Sequence, residues 1–195
     1  MKRAETRQRI VDATIRTLAE QGYARTTARA VAVTGGFAPG AIYYHFADLD
    51  ELFVATAQFT SEARLARYRA ETEGSTGAVE LVRRLRTLYA EDGAEGHIAA
   101  IQELIAGANT SQRLAEEVRA STAVWTDFAA STIRRLVDGT PFAALIPVRE
   151  AATAAVAAYL GVEMLSHLDA NVTDPDEMFD AAERAAALVD ALRPH

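Results

Sequence analysis

The chain has no cysteine, which excludes disulfides and thiolate metal sites and fits a reducing compartment such as the cytoplasm. Proline and glycine are scarce, at 5 and 11 of 195 residues, and no low-complexity linker or internal repeat breaks the chain. No apolar run approaches the ~20 residues needed to cross a bilayer. The start, MKRAETRQRIVDA, is charged and amphipathic without a continuous apolar stretch, so no signal peptide is expected. Catalytic patterns are also missing. The four histidines are scattered, and no serine sits on a Gly-x-Ser-x-Gly elbow. Gly35 to Gly40 has the spacing of a phosphate loop but lacks the Lys-Ser/Thr that must follow. Glu163 and His167 lie one helical turn apart, yet no third metal ligand or HExxH pattern accompanies them. Neither an enzyme nor a bound metal or cofactor is expected.

Half of the residues are hydrophobic, and a chain of 195 residues can bury about 70% of its unfolded surface, enough for a sizeable core. The net charge of −7 argues against general nucleic-acid binding, but it is uneven. Residues 1–47 carry Lys2, Arg3, Arg7, Arg9, Arg16, Arg25 and Arg29 against Glu5, Asp12 and Glu20, a balance of +4. The remaining 13 basic and 24 acidic residues leave −11 on the rest. A basic head on an acidic body offers phosphates one landing site and repels them elsewhere.

Almost everything reads as helix. Val11, Ile15, Leu18 and Ala19 form one face over 5–21. Asp48 N-caps a helix to about Thr72, with Leu49, Leu52, Phe53, Ala57 and Ala63 turned inward. Further helices are predicted over 76–91, 97–106 and 111–137. The segment 148–168, apolar around most of its circumference, is expected to be buried on two sides. Pro175 opens a last helix to about 193 with a broad face of Met178, Phe179, Ala182, Ala185, Ala186, Leu188, Val189 and Leu192. With two short helices between 26 and 46, the expectation is all-α, about nine helices.

Residues 22–46, GYARTTARAVAVTGGFAPGAIYYHF, hold the clearest signal. Thr26 reads as an N-cap, with Thr27, Ala28 and Arg29 as the first turn. Gly35-Gly36 ends that helix, and Pro39 suits the start of a second one running through Gly40-Ala41-Ile42-Tyr43-Tyr44-His45-Phe46. Two short helices around a tight turn are the geometry that lays one helix in a DNA major groove.

Gly22-Tyr23, Thr26-Thr27-x-Arg29, Gly36 and the closing Gly40-x-Ile42-Tyr43-Tyr44-His45-Phe46 resemble the DNA-binding head of the tetracycline-repressor-like (TetR) family over roughly residues 5–55. The resemblance implies a helix-turn-helix domain over 1–47 and a ligand-binding and dimerisation domain over 48–195. It implies contacts to double-stranded DNA from Thr26 or Thr27 and Arg29, from Pro39, Gly40, Ala41, Tyr43, Tyr44 and His45, and from an arm carrying Arg3 and Arg7. The physical reasons are plain: helix N-termini and cations hold phosphates, a small residue lets backbone approach, and Ala41 suits a thymine methyl. Ile42 and Phe46 would anchor the helix to the core. Three family features are missing, since Ala38, Pro39 and Leu49 stand where a hydroxyl and two lysines are common.

In this family the last two helices pair across a homodimer, placing two heads on a palindromic operator. The family's pocket lies among the middle helices. Here the apolar candidates are Tyr89, Ile101, Leu104, Ile105, Trp125, Phe128, Tyr159 and Met164, with His97, Glu103 and Glu163 as groups to orient a ligand. The reading is thus a cytoplasmic, dimeric repressor released from DNA by a small, mostly apolar molecule. An alternative is a dimeric small-molecule binding protein with weak or lost operator binding, for which Pro39 and Leu49 speak.

Overall fold

The computed structural model describes residues 2–168 and 174–192, with backbone alone at 2, 163 and 166–168. Among the described residues it contains nine α-helices, two short 3₁₀ turns and no strand. In chain order these are α1 (Lys2–Gln21), α2 (Ala28–Gly35), α3 (Gly40–His45), α4 (Leu49–Glu73), α5 (Ala78–Ala94), α6 (His97–Gly107), α7 (Gln112–Val137), α8 (Val148–Leu168) and α9 (Pro175–Ala191). The 3₁₀ turns are Tyr23–Arg25 and Pro141–Ala144. The all-α expectation holds, and most helix ends fall within two or three residues of the sequence reading.

The residues group into two compact units. The first runs to Arg64 and resumes over Asp92–Ser121. Its core joins Ile10, Val11, Ile15 and Leu18 of α1, Val31 and Ala32 of α2, and Ile42 and Phe46 around α3. Leu52, Phe53 and Ala57 of α4, Ala100 and Leu104 of α6 and Leu114 of α7 complete it. Helical spacing of these apolar side chains brings the faces together, and their removal from water drives the packing. Thr14 and Thr17 are fully buried in this core because their hydroxyls donate to carbonyls four residues earlier, at 2.8 and 2.7 Å. Asp48 caps α4 by accepting from Glu51 N–H at 2.6 Å, while Glu51 accepts from Ala47 N–H at 2.7 Å.

One expected inward residue on α4 is corrected. Ala63 is exposed, whereas Arg64 beside it is buried. The buried stripe continues from Ala57 through Thr60, Ser61, Arg64, Leu65, Tyr68 and Thr72 at spacings of three and four, and Ala63 falls outside it. Arg64 tolerates burial because Asp92, itself fully buried, meets its guanidinium at 2.7 Å.

The second unit holds Leu65–Glu91 and the chain from Thr122 onward. Here α9 is fastened along α5. The Asp190 carboxylate accepts from Ala78 N–H at 2.7 Å and Val79 N–H at 3.0 Å, capping α5 from 112 and 111 residues away. Arg86 meets Asp176 and Asp180 at 2.7 and 2.8 Å, hydrogen bonds that raise its already high pKa, Asp176 first. Glu80, in the first turn of α5, is lowered to about 2 by the Thr76 N–H, then by Arg84 and the Thr76 hydroxyl. Its depressed pKa makes this contribution complete above pH 4.5 and lost as pH falls towards 2.

The two-sided burial expected for α8 is corrected within the chain. Ala152 is buried, but Ala154, Ala155, Ala157, Ala158, Met164 and Leu165 are exposed, as are Leu188 and Leu192 on α9. Among the described residues nothing covers these alanine-rich faces, which accounts for the difference.

Asp92→Ala leaves the Arg64 guanidinium buried without its carboxylate and should lower stability by ~3–5 kcal/mol in urea unfolding at fixed protein concentration. The double change Arg64→Met, Asp92→Leu removes both charges and should cost much less than the single one.

Candidate nucleic-acid interface and effector residues

The turn between α2 and α3 is set by two glycines with different reasons. Gly36 closes α2 in the left-handed conformation, at φ 68° and ψ 37°. Gly35 lies under the Phe37 ring, which occupies the space a Cβ would need. Pro39, at φ −54°, precedes the first residue of α3, and Ile42 N–H returns to its carbonyl at 3.1 Å. Behind α3, Ile42 and Phe46 are buried as expected of anchors.

At the start of α2 the cap is Thr27 and not Thr26, a correction of one residue. Thr27 has extended backbone and its hydroxyl accepts from Ala30 N–H at 3.1 Å. Thr26 is buried, and its hydroxyl donates to the Gly22 carbonyl at 2.8 Å. Of the two threonines, Thr27 is the one with open surface.

The outer face carries the remaining candidates. Arg29, Pro39 and Gly40 are exposed, Ala41 and His45 are half-buried, and Tyr43 and Tyr44 are 57% and 70% exposed. Large aromatic side chains seldom stand this open on a short helix without a partner to meet. The Tyr44 ring meets the His45 ring edge to face at 5.1 Å. Arg3 lies 5.5 Å over the Tyr44 ring and Arg7 4.8 Å over the Phe46 ring. The structure therefore brings the α1 arginines to the aromatics of α3 and its C-cap by cation–π contact, orienting them beside that helix. Sequence reasoning assigned those arginines to an arm and missed this pairing. It also missed Val33, 76% exposed on α2 one turn beyond Arg29. Of the three departures from the resemblance, Ala38 and Pro39 are exposed, while Leu49 packs on the core of the first unit.

The effector candidates divide between the two units. His97, Ile101, Glu103, Leu104 and Ile105 all lie on α6 in the first unit. Leu104 is fully buried in the core beneath the head. The Glu103 carboxylate accepts from Tyr23 N–H at 2.6 Å. His97 meets Glu95 at 3.2 Å and borders a cleft of about 570 Å³ between α1 and the turn before α6. Tyr89, Trp125, Phe128, Tyr159 and Met164 belong to the second unit. The side chains of Glu163 and His167 lie outside the described residues.

Within the second unit, the aromatic candidates do meet. Trp125 and Phe128 pack at 5.9 Å, and Tyr89 meets Tyr159 at 5.1 Å. Two residues that the sequence reading did not include complete the set. Tyr68 packs on Trp125 at 5.1 Å and Phe128 at 6.3 Å, and Phe179 on Tyr89 at 5.4 Å. The Tyr68 and Tyr159 hydroxyls, 3.5 Å apart, link the two groups. Tyr68 was readable from the spacing of the α4 stripe, whereas Phe179 was read into a dimer face.

Residues 10–56 match the sequence model of the bacterial regulatory proteins, tetR family. Over 82 residues the chain is 38% identical to the HTH-type transcriptional repressor AcnR of Corynebacterium efficiens, covering 42% of this chain and 41% of that one. The chain thus spans about two fifths of the length of the first curated relatives it matches. A proposed TetR-family regulator from Rhodococcus sp. superposes with a TM-score of 0.76 at 23% identity, covering 96% of this chain and 99% of the other. A proposed transcriptional regulator from Saccharomonospora viridis, solved in complex with choline, gives 0.77 at 18% identity, covering 93% and 95%. At these identities the structures carry the fold.

Gly36→Ala forces a side chain into the left-handed region and should cost ~1–2 kcal/mol in thermal unfolding, with Gly36→Asn closer to the parent.

Proposed function

We propose, for a chain whose head belongs to the tetR family of bacterial regulatory proteins, that it is a homodimeric, DNA-binding transcriptional regulator. The reading is that of a repressor which a small, mostly apolar molecule releases from a palindromic operator. The observation that carries it is the outer face of α2 and α3. Two exposed tyrosines and Arg29 stand there, with Arg3 and Arg7 held beside α3 by its aromatic rings. On such a face the tyrosine hydroxyls and guanidinium groups reach phosphates and base edges, and Ala41 offers a methyl. Gly40 has nothing within 4 Å of where its Cβ would stand, so backbone there is open to close approach.

Dimerisation is supported by the exposed apolar faces of α8 and α9. Leu188 at 65%, Met164 and Leu192 are too many apolar groups in series for solvent alone, and a two-fold partner would cover them. An effector is supported by the aromatic set around Tyr68, Trp125 and Tyr89, whose rings give an apolar ligand area and whose hydroxyls orient it. The similar fold from S. viridis holding choline supports a small-molecule role for the corresponding part of this chain. No helix among the described residues is long and apolar enough to cross a membrane, in keeping with a cytoplasmic site of action. Release is a population shift, limited by how much more tightly the effector binds the state that does not fit the operator.

A second reading, a dimeric binding protein with weak or lost operator contact, is favoured by one observation. Ala38 and Pro39 bring no cation to the exposed lip of α3, and Leu49 is turned to packing. The test is binding of the purified protein to duplex from upstream of its own gene, titrated in salt beside a scrambled duplex. Specific binding by two subunits is expected, with log affinity falling against log salt and a slope that shrinks by about 1 in Arg29→Ala. No preference over scrambled DNA, followed by an empty selection from random duplexes, would overturn the regulator in favour of the binding protein.

A further inference from the structure

The 3₁₀ turn Tyr23–Arg25 leads from α1 into α2, and α6 holds that turn at two points one helical turn apart. At the first, Glu103 Oε2 accepts from Tyr23 N–H at 2.6 Å, a short charge-assisted bond to the first residue of the turn. At the second, the Tyr23 ring occupies the place that a side chain on Gly107 would need. Gly22 faces the same carboxylate. It sits at φ +80°, and a Cβ there would lie 3.2 Å from Glu103 Oε2. The other ring partner of Tyr23 is Phe53 of α4, at 4.8 Å. Two glycines thus let the turn and α6 approach closely, and one carboxylate fixes the height at which they meet.

The apolar core beneath, with Leu18, Val31 and Leu104, attracts without direction and tolerates small sliding. A hydrogen bond weakens steeply with misalignment, and a ring seated on a glycine admits one register. We propose that Glu103 is a positioning residue: with Gly107 it forms a two-point joint that sets the angle of the lead-in turn on α6. Through that turn it sets the angle of α2 and α3, so that the head and α6 move as one body. Only the DNA arm of the test rests on the regulator reading.

The cysteine-free chain accepts spin labels at Val33→Cys and Ala106→Cys alone, both positions being exposed. Labelled chain diluted in unlabelled chain is measured by pulsed electron resonance in the parent, Glu103→Leu, Glu103→Gln and Gly107→Ala. The parent should give one narrow α2–α6 distance. In Glu103→Leu the distribution should broaden about twofold, and Tyr23 N–H should exchange about tenfold faster at an unchanged melting midpoint. The amide oxygen of Glu103→Gln still accepts a hydrogen bond, so that variant should keep the parent width and exchange within about threefold. Gly107→Ala displaces the ring without touching the carboxylate and should broaden the distance as well, which decides the matter if Glu103→Leu does not fold. Parent-like width in both Glu103→Leu and Gly107→Ala overturns the joint, and so does a Glu103→Gln as loose as the leucine variant. On operator duplex, Glu103→Leu should bind about tenfold more weakly with the salt slope kept. If the parent binds no DNA, the regulator reading fails while the distance and exchange arms still decide the joint.

Discussion

An eight-residue helix and a six-residue helix cannot bury each other, and that constraint governs the first unit. Helices this short are marginal in water without tertiary support. The inner faces of α2 and α3 offer Val31, Ala32, Ile42 and Phe46, and these are closed off by α1, by Leu52 and Phe53 of α4, and by Leu104 and Leu114 far along the chain. The head is therefore cooperative with α6 and α7, and the compact unit runs well past residue 47. Its outer face is then free of packing duty. Tyr43, Tyr44 and Val33 remain exposed because the fold is already paid for on the other side.

Where charge is buried or paired, the structure separates two tasks. Arg64 and Asp92 meet inside the first unit, where each charge is tolerated because the other is buried beside it. On the surface of the second unit, Arg83 and Arg86 are matched to the acids of α9, so these cations are occupied within the chain. At the head, Arg3 and Arg7 face aromatic rings. A ring orients a guanidinium but leaves its charge uncompensated, and an uncompensated cation is what a phosphate can use.

The legible features were those written in local chemistry. Helix limits followed from Asp48, Gly36, Pro175 and the 3.6-residue spacing of apolar side chains, and the structure follows them closely. The aromatic end of the head could be read as exposed tyrosines on buried Ile42 and Phe46 for the same reason. Long-range partners were not legible. Nothing near Glu103 in sequence indicates Tyr23, 80 residues earlier, and nothing near Asp190 indicates the start of α5. Ala63 and Arg64 mislead because hydropathy places the alanine inside, whereas a partner on another helix reverses the order. Thr26 misleads more narrowly: two adjacent threonines are equal as caps until the Gly22 carbonyl takes one of them.

The aromatic set stands on helices that do not end within its own unit. Tyr68, Tyr89 and Trp125 stand on α4, α5 and α7, and each of these helices contributes residues to both compact units. The backbone of those helices continues without interruption to Leu52 on α4, Asp92 on α5 and Leu114 on α7. Two of those residues belong to the core under the head, and the third holds Arg64. Packed cores and ion pairs switch between discrete arrangements more readily than they stretch. Within the first unit, a shift of any of these helices is therefore answered by repacking rather than by gradual strain.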